Sequence, residues 1–100
     1  MTVILEQVMP EGVSLQMLDE VTDEMNVDQD PPEGILFHVH FEQNGKTRIV
    51  DVWDSEEAYE AFREARLLPA MQAVLQRHGG GEPPQPEGSV TSVHRVVRGR

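Results

Sequence analysis

Apolar and polar residues alternate over residues 34–54, GILFHVHFEQNGKTRIVDVWD, on both sides of the dipeptide Asn44-Gly45. Alternation with a period of two is typical of a β-strand. Asn-Gly favours a two-residue type I′ turn, because that turn needs a positive φ at both central residues. The pattern therefore predicts a β-hairpin. Counted away from the turn, the predicted pairs are Gln43 with Lys46, Glu42 with Thr47, Phe41 with Arg48, His40 with Ile49, Val39 with Val50, His38 with Asp51, Phe37 with Val52, and Leu36 with Trp53.

The two faces of this hairpin differ in chemistry, because successive side chains on a strand point to opposite faces. The first face is apolar and carries Ile35, Phe37, Val39, Phe41, Val50 and Val52. The second face carries Leu36, His38, His40, Ile49, Asp51 and Trp53. Since the second face combines titratable with large apolar side chains, we interpret it as a candidate ligand site.

The residues before the hairpin predict one strand and one helix. Residues 3–8 indicate a short strand that ends at a Pro-Glu-Gly turn. Ser14 is a suitable N-cap, and apolar residues then recur at helical spacing as far as Met25. The segment 28–34, DQDPPEG, ends this helix, because paired prolines require extended backbone.

The residues after the hairpin predict a second helix and a last strand. The helix begins near Ser55, which is followed by acidic residues that suit the first turn. We expect a kink or a restart at Pro69, and the glycines at 79–81 end the helix. Residues 82–88 predict an extended connection, and residues 90–97 predict the last strand.

The predicted order is strand, helix, strand, strand, helix, strand. It is the βαββαβ order of a ferredoxin-like α+β fold, which we predict as a single domain over residues 1–100. In this fold strand one lies between strands three and four of an antiparallel sheet, and both helices cover one face. The other face would expose the apolar side of the hairpin. A second copy of the chain would cover it, so we predict a twofold homodimer.

The charge and composition of the chain limit the kinds of partner and site that we expect. The formal net charge is -10, and the first basic residue is Lys46. Such a surface repels phosphate groups, so we expect neither nucleic acid nor a membrane as a partner. The absence of cysteine excludes disulfides, thiolate metal sites and a cysteine nucleophile. The start MTVILEQV lacks the pattern of a signal peptide, and we expect a cytoplasmic protein.

The segment Trp53–Tyr59, WDSEEAY, resembles the W-x-S-x-E-A-aromatic signature between strand three and helix two of dimeric α+β barrel proteins, notably the antibiotic biosynthesis monooxygenase type. By order of elements, the resemblance covers the whole chain. It implies a homodimer of two sheets packed face to face, with a ligand cleft between sheet and helices in each subunit. The superfamily includes cofactor-independent oxygenases of aromatic polyketides, haem-degrading enzymes, isomerases and proteins of unassigned role.

The same resemblance disfavours haem degradation. The first-strand Asn of the haem-degrading branch corresponds to Gln7, its helical Trp to Phe62, and its axial His to Gln72. An amide is a poor substitute for imidazole on haem iron. We therefore predict no haem and no other cofactor. Any oxygenation would then rely on a substrate that itself reacts with oxygen.

His38 and Asp51 are the candidate catalytic residues. Directly opposed residues on antiparallel strands have Cβ atoms about 4.5 to 5.5 Å apart. A carboxylate at that distance can orient the imidazole, so that His38 can remove a phenolic or enolic proton. The alternative is a cross-strand polar pair without a reaction. His40 formally completes a set of two histidines and one carboxylate, but no motif supports metal binding and we predict no metal.

Two functions remain open on the sequence alone. One is a monooxygenase-like enzyme that binds an aromatic or polyketide-like molecule in the cleft. The other is a non-catalytic dimeric module for ligand binding or interaction, which the departures at Phe62 and Gln72 favour. The predicted ligand-binding residues are Gln7, Leu36, His40, Trp53, Tyr59 and Phe62.

Overall fold

A computed structural model describes all residues from Met1 to Arg100. The strands form one antiparallel sheet in the order β2-β3-β1-β4, which confirms the predicted ferredoxin-like α+β architecture. Its elements are β1 (Val3–Val8), α1 (Leu15–Met25), β2 (Ile35–Gln43), β3 (Lys46–Trp53), α2 (Glu56–Phe62), a π-helical turn (Arg63–Leu67), α3 (Leu68–Arg77) and β4 (Glu87–Ser92). No helix has the length and hydropathy needed to cross a membrane.

The helices pack through a small apolar cluster. Val21 of α1 meets Ala70 and Val74 of α3, and all three are buried. Met17 and Met71 pack against this cluster. Flexible thioethers fill irregular gaps in cores, and these two methionines have that role here. The cluster fixes α1 against α3 and leaves the other end of α1 facing a cleft.

Both predicted helix caps are confirmed. The Ser14 hydroxyl accepts a hydrogen bond from the backbone N–H of Met17 at 3.1 Å. The Ser55 hydroxyl accepts one from the backbone N–H of Ala58, also at 3.1 Å. Each bond satisfies one of the amides that a helix leaves unpaired in its first turn. The local sequence thus determines where α1 and α2 begin.

The predicted irregularity at Pro69 takes the form of a π-helical turn. Pro69 lies in the first turn of α3, and the preceding residues 63–67 have π-helical hydrogen bonding. Proline has no N–H to donate and its ring crowds the preceding turn, which disturbs a regular helix. Arg66 in this turn donates to the carbonyl oxygen of Met25 at 2.6 Å and thereby ties the turn to the end of α1.

The hairpin register is confirmed from the turn to the pair Phe37–Val52, but the predicted pair Leu36–Trp53 is wrong. A bulge inserts one extra residue, so that Ile35 lies opposite Trp53. The carbonyl of Gly34 accepts from the backbone N–H of Asp54 at 2.7 Å, which holds the chain one residue beyond the regular register. Ile35 is therefore on the helix side of the sheet.

Gly34 has a packing reason to be glycine. Its φ is +89°, and a Cβ built there would lie 2.7 Å from the Cβ of Ala58 on α2. Only a residue without a side chain allows β2 to approach the helix so closely. This approach anchors the strand that carries the two histidines of the site.

The last strand differs from the prediction. β4 covers Glu87–Ser92 instead of residues 90–97, because it pairs with the six residues of β1. The register places Val3 opposite Ser92 and Val8 opposite Glu87. Residues 94–100 therefore extend past the end of β1 and form no strand.

The uncovered face of the sheet is apolar along β2. Phe37, Val39 and Phe41 are 47%, 43% and 37% exposed. Val52 was expected on the same exposed patch, but it is buried because it lies inside the sheet between β2 and β1. On this face of the sheet, the exposed large apolar residues thus lie on the edge strand β2. We refer to Phe37, Val39 and Phe41 as the open-face patch.

Candidate functional site

A cleft of about 250 Å³ lies between the sheet and the helices. Its floor is formed by Gln7 of β1 and by Ile49 and Asp51 of β3, which share one side of the sheet. Its walls come from α1, α2, the π-helical turn and the proline-rich segment before β2. Tyr59 and Phe62 supply aromatic surface from α2. The cleft is therefore a mostly apolar space with a few polar groups.

The structure brings five of the predicted site residues to this cleft. They are His38, Asp51, Gln7, Tyr59 and Phe62. The other predicted residues, Leu36, His40 and Trp53, do not line it. Ile35 takes the position that the sequence register assigned to Leu36, because of the bulge in β2.

His38 and Asp51 form the closest polar contact of the site. The Nδ1 atom of His38 lies 2.5 Å from Oδ1 of Asp51. Asp51 is almost completely buried, and its second oxygen accepts a hydrogen bond from Nε1 of Trp53 at 3.2 Å. These two donors compensate for the cost of burying a carboxylate. They also fix the protonated nitrogen of His38 as Nδ1, because an ionised carboxylate can only accept.

Trp53 supports the site from behind. It is fully buried, and its ring lies 5.7 Å from that of Tyr59 and 5.2 Å from that of Phe62. The Trp53–Tyr59 rings meet edge to face, an arrangement that the charge distribution of aromatic rings favours. Trp53 therefore positions Asp51, Tyr59 and Phe62 without contacting the space of the cleft.

Tyr59 is the titratable group of the cleft whose pKa is shifted by its surroundings. Burial raises the pKa of the Tyr59 phenol, and the negative charge of Asp51 acts in the same direction. Arg63 and the side chain of Gln7 act against this increase in pKa. The phenol is consequently neutral at physiological pH and presents an O–H group to the cleft.

The polar contacts continue beyond His38 to a residue that the sequence did not indicate. Nε2 of His38 lies 2.9 Å from Nδ1 of His40, and Nε2 of His40 lies 2.8 Å from Oδ1 of Asp19 on α1. The helix α1 carries several acidic residues, and Asp19 is one of them. Its placement over the β2 histidines depends on how α1 packs on α3, for which the sequence holds no local signal.

The histidines are arranged for hydrogen bonding to each other. Nε2 of His38 points at Nδ1 of His40, and the outer nitrogen of each ring contacts a carboxylate. No group of three His, Cys, Asp or Glu side chains is placed to hold one metal ion. The set of His38, His40 and Asp51 thus forms a row of contacts instead of a common centre.

Several cleft residues were missed as site residues from the sequence. Met25 and Thr22 face the cleft from α1, and Leu67 faces it from the π-helical turn. Asp28 and the adjacent prolines Pro31 and Pro32 close one side. Proline pairs and helix-end residues indicate loop and helix boundaries in a sequence, but not which space they enclose.

No family model matches the chain, and no curated protein matches it by sequence. Among solved structures, the cofactor-independent oxygenase SnoaB from Streptomyces nogalater aligns over 96% of this chain and 95% of its own, with a TM-score of 0.60 and 12% identity. The chain thus shares its ferredoxin-like fold with these solved structures.

Two other solved structures share this architecture. A variant of MhuD with two manganese protoporphyrin IX molecules per active site aligns over 99% of this chain and 100% of its own, with a TM-score of 0.61 and 16% identity. A dimeric ferredoxin-like protein of unknown function from Thermobifida fusca covers 93% of this chain and 92% of its own, with a TM-score of 0.57 and 12% identity. At these identities the similarity establishes the fold alone.

The positions compared with the haem-degrading branch are separated in space. Gln7 and Phe62 line the cleft, whereas Gln72 lies exposed on α3 and does not line it. Gln72, which the sequence resemblance aligned with the axial histidine, thus lies outside the cleft.

Proposed function

We propose that this protein binds a small aromatic molecule carrying an acidic hydroxyl group in its sheet-helix cleft, and that His38, supported by Asp51, accepts the proton of that hydroxyl. The observation that carries the proposal is the 2.5 Å contact between His38 and Asp51 at the edge of a mostly apolar cleft. A buried carboxylate behind an imidazole is the usual support for a general base.

The size of the cleft limits the ligand. An engineered apolar cavity of about 150 Å³ is large enough for benzene, whereas drug-sized ligands occupy about 300 to 1,000 Å³. A cleft of about 250 Å³ therefore suits a ligand of one or two rings. Phe62 and Ile49 would contact such rings, while Gln7 and the Tyr59 hydroxyl can hydrogen-bond to polar groups on the ligand.

The chemistry that follows needs no group beyond the substrate and oxygen. When the hydroxyl O–H bond breaks, its proton passes to His38 and the electron pair stays on the ligand as a phenolate or enolate. Such electron-rich anions can be oxidised by O₂ directly. A C–H bond of the ring breaks and one atom of O₂ bonds to that carbon, which becomes a carbonyl. The hydrogens of that C–H and of the hydroxyl leave with the second oxygen atom as water, and the substrate supplies all the electrons. This reaction class agrees with the cofactor-independent oxygenase described for SnoaB.

A second function, ligand binding without a reaction, is favoured by one specific contact. Nε2 of His38, the nitrogen that would accept a proton, is occupied by His40 at 2.9 Å. In this alternative the row of histidines only closes the side of the cleft. The two functions make the same prediction for binding and different predictions for oxygen consumption.

The test is a thermal-shift screen with matched aromatic compounds of one or two rings, with and without a hydroxyl group. A ligand that binds the native state raises the unfolding temperature, and the stabilisation grows with the logarithm of its concentration relative to its Kd. We expect hydroxylated compounds to raise the unfolding temperature of the wild type. If the protein is an enzyme, we also expect it to consume oxygen in the presence of the compounds that bind. No stabilisation by any member of the panel would contradict the proposed ligand class.

We further propose that two copies associate through the open-face patch. The patch exposes two phenylalanines on one edge strand, and the buried Nε atom of Arg48 on the same face lacks a hydrogen-bond partner. A second copy would cover the apolar residues and could supply an acceptor to Arg48. We expect Phe41→Asp to convert a dimer, measured by analytical ultracentrifugation, into a monomer. A wild-type protein that is monomeric at micromolar concentration would contradict this proposal.

A further inference from the structure

Four side chains form an unbroken row from the cleft to the surface. The order is Asp51, His38, His40 and Asp19, and the three contacts measure 2.5, 2.9 and 2.8 Å. Asp51 is buried at one end, while the side chain of Asp19 is 66% exposed at the other. Both ring nitrogens of each histidine are engaged. No nitrogen of the pair is free for an additional partner.

The number of protons in this row follows from its geometry. Ionised carboxylates only accept hydrogen bonds, so Nδ1 of His38 and Nε2 of His40 must each carry a hydrogen. The contact between the two rings requires a third hydrogen, on one nitrogen or the other. Two neutral imidazoles carry only two such hydrogens. All three bonds form only when the histidine pair holds one extra proton and one positive charge.

The charges around the pair favour this proton. Asp51 faces it from β3 and Asp19 from α1, while Asp28 lines the cleft with His38 from the segment before β2. Glu42 follows the histidines on the same side of β2. The phenol of Tyr59 on α2 lines the cleft in its neutral form, and Arg63 is the positive group that acts on it.

We propose that His38 and His40 share one extra proton, which Asp19 holds in place. A ligand hydroxyl can reach Nε2 of His38 only by displacing this shared proton. His40 and Asp19 are then positioning residues for His38. The displacement part rests on the proposed function, because it concerns the same nitrogen of His38. The shared proton itself does not depend on any ligand.

The displacement step balances in protons. In the ligand-free pair, the shared hydrogen lies between Nε2 of His38 and Nδ1 of His40. When the ligand O–H donates to Nε2 of His38, it replaces that hydrogen, and the extra proton leaves to solvent. His40 becomes neutral and keeps its hydrogen on Nε2, toward Asp19. Binding of a hydroxylated ligand therefore releases one proton, whereas binding of the same ring without a hydroxyl releases none.

The first arm of the test uses the ligand-free protein. Long-range ¹H–¹⁵N NMR reports which imidazole nitrogens carry hydrogen, and the four histidines of the chain can be assigned with single variants. Across the range of about pH 5 to 8, where histidines ordinarily change charge, we expect a stage with three protonated nitrogens on His38 and His40 together. If the number of protonated nitrogens on the two histidines falls from four to two without passing through three, the proposal of a shared proton is wrong.

Two matched variants distinguish the specific contact of Asp19 from the general effect of one negative charge on α1. Asp19→Asn removes the outer carboxylate, whereas Asp23→Asn removes the same charge one helical turn away, from an exposed residue with no ion pair. At a pH where the wild type shows three protonated nitrogens on the pair, we expect Asp19→Asn to show two and Asp23→Asn to show three. Equal behaviour of the two variants would show that Asp19 does not hold the proton.

The second arm measures proton release on binding. Calorimetry with naphthol in two buffers of different ionisation enthalpy gives the number of protons released, and naphthalene is the matched control. At a pH where NMR shows three protons, we expect close to one proton released by the wild type and close to none by His40→Ala. Binding of naphthol without proton release would overturn the displacement step. If naphthol does not bind, the proposed function and the displacement step both fail, while the NMR arm alone decides the shared proton.

Discussion

Replacement of Asp51 with Asn changes the charge at the centre of the site with almost no change in volume. Asp51 is 5% exposed and accepts hydrogen bonds from His38 and Trp53 through separate oxygens. Asparagine has one acceptor and one donor group in their place. Because the N–H of Trp53 can only donate, the amide oxygen must face Trp53 and the NH₂ group must face His38. His38 then has to accept at Nδ1 and carry its hydrogen on Nε2.

The expected loss of stability is moderate. Two hydrogen bonds to an ionised group, each contributing about 1.5 to 3 kcal/mol, become two neutral ones of about 0.5 to 1.5 kcal/mol. Reduced desolvation cost of the neutral amide offsets part of this difference. We therefore expect a net loss of about 1 to 2 kcal/mol, or about 5 to 10 °C in melting temperature for a domain of this size. In the same variant Nε2 of His38 carries a hydrogen and can no longer accept a proton. Any turnover should therefore fall strongly, although the loss of stability is only moderate.

Trp53 provides the assay for this prediction. It is the only tryptophan and is fully buried, so its fluorescence follows urea unfolding directly. Asp23→Asn, at an exposed position, serves as the control and should stay within about 0.5 kcal/mol of the wild type. NMR of His38 in Asp51→Asn should show its hydrogen on Nε2. Wild-type stability, or a hydrogen that remains on Nδ1 of His38, would refute this reasoning.

Three further predictions address other parts of the structure. Tyr59 is the only tyrosine, and the absorbance of its phenolate should appear at a pH above the ordinary pKa of 10.0. Because the folded state raises this pKa, the neutral phenol of Tyr59 contributes to the stability of the fold. That contribution is complete below pH 10.0 and is lost as the pH rises through the pKa of the folded state. Asp51→Asn should lower the pKa of Tyr59, and an unchanged titration would contradict their proximity. Gly34→Ala should destabilise by about 1 to 3 kcal/mol in urea unfolding, more than Gly12→Ala, which has a similar φ but open space around it. Ser55→Ala should cost about 1 kcal/mol through loss of the cap, and no loss would mean that the cap is not needed.

Local patterns were sufficient for most of the fold. Asn44 and Gly45 have φ values of 54° and 76°, as the predicted turn requires, and the register counted from that turn is correct for seven pairs. The opposition of His38 and Asp51 follows directly from this register. Caps and alternation depend on neighbouring residues only, so they can be recognised without knowledge of the tertiary structure.

The errors arose where distant segments determine the local structure. The bulge that moved Leu36 out of register depends on the contact of Gly34 with α2, twenty or more residues further along the chain. The limits of β4 depend on the length of its partner β1. Asp19 joined the site because α1 packs over β2. None of these contacts leaves a periodic signal in the sequence of the segment it affects.

The most direct test of the central claim is a comparison of two ligands and two proteins by calorimetry. Naphthol and naphthalene differ by one hydroxyl, and the wild type and His38→Ala differ by the group proposed to accept its proton. We predict that the wild type prefers naphthol to naphthalene by about tenfold, the equivalent of about 1.4 kcal/mol for one hydrogen bond, and that His38→Ala loses this preference while its affinity for naphthalene is retained. An equal preference for naphthol in both proteins would contradict a role of His38 in recognising the hydroxyl.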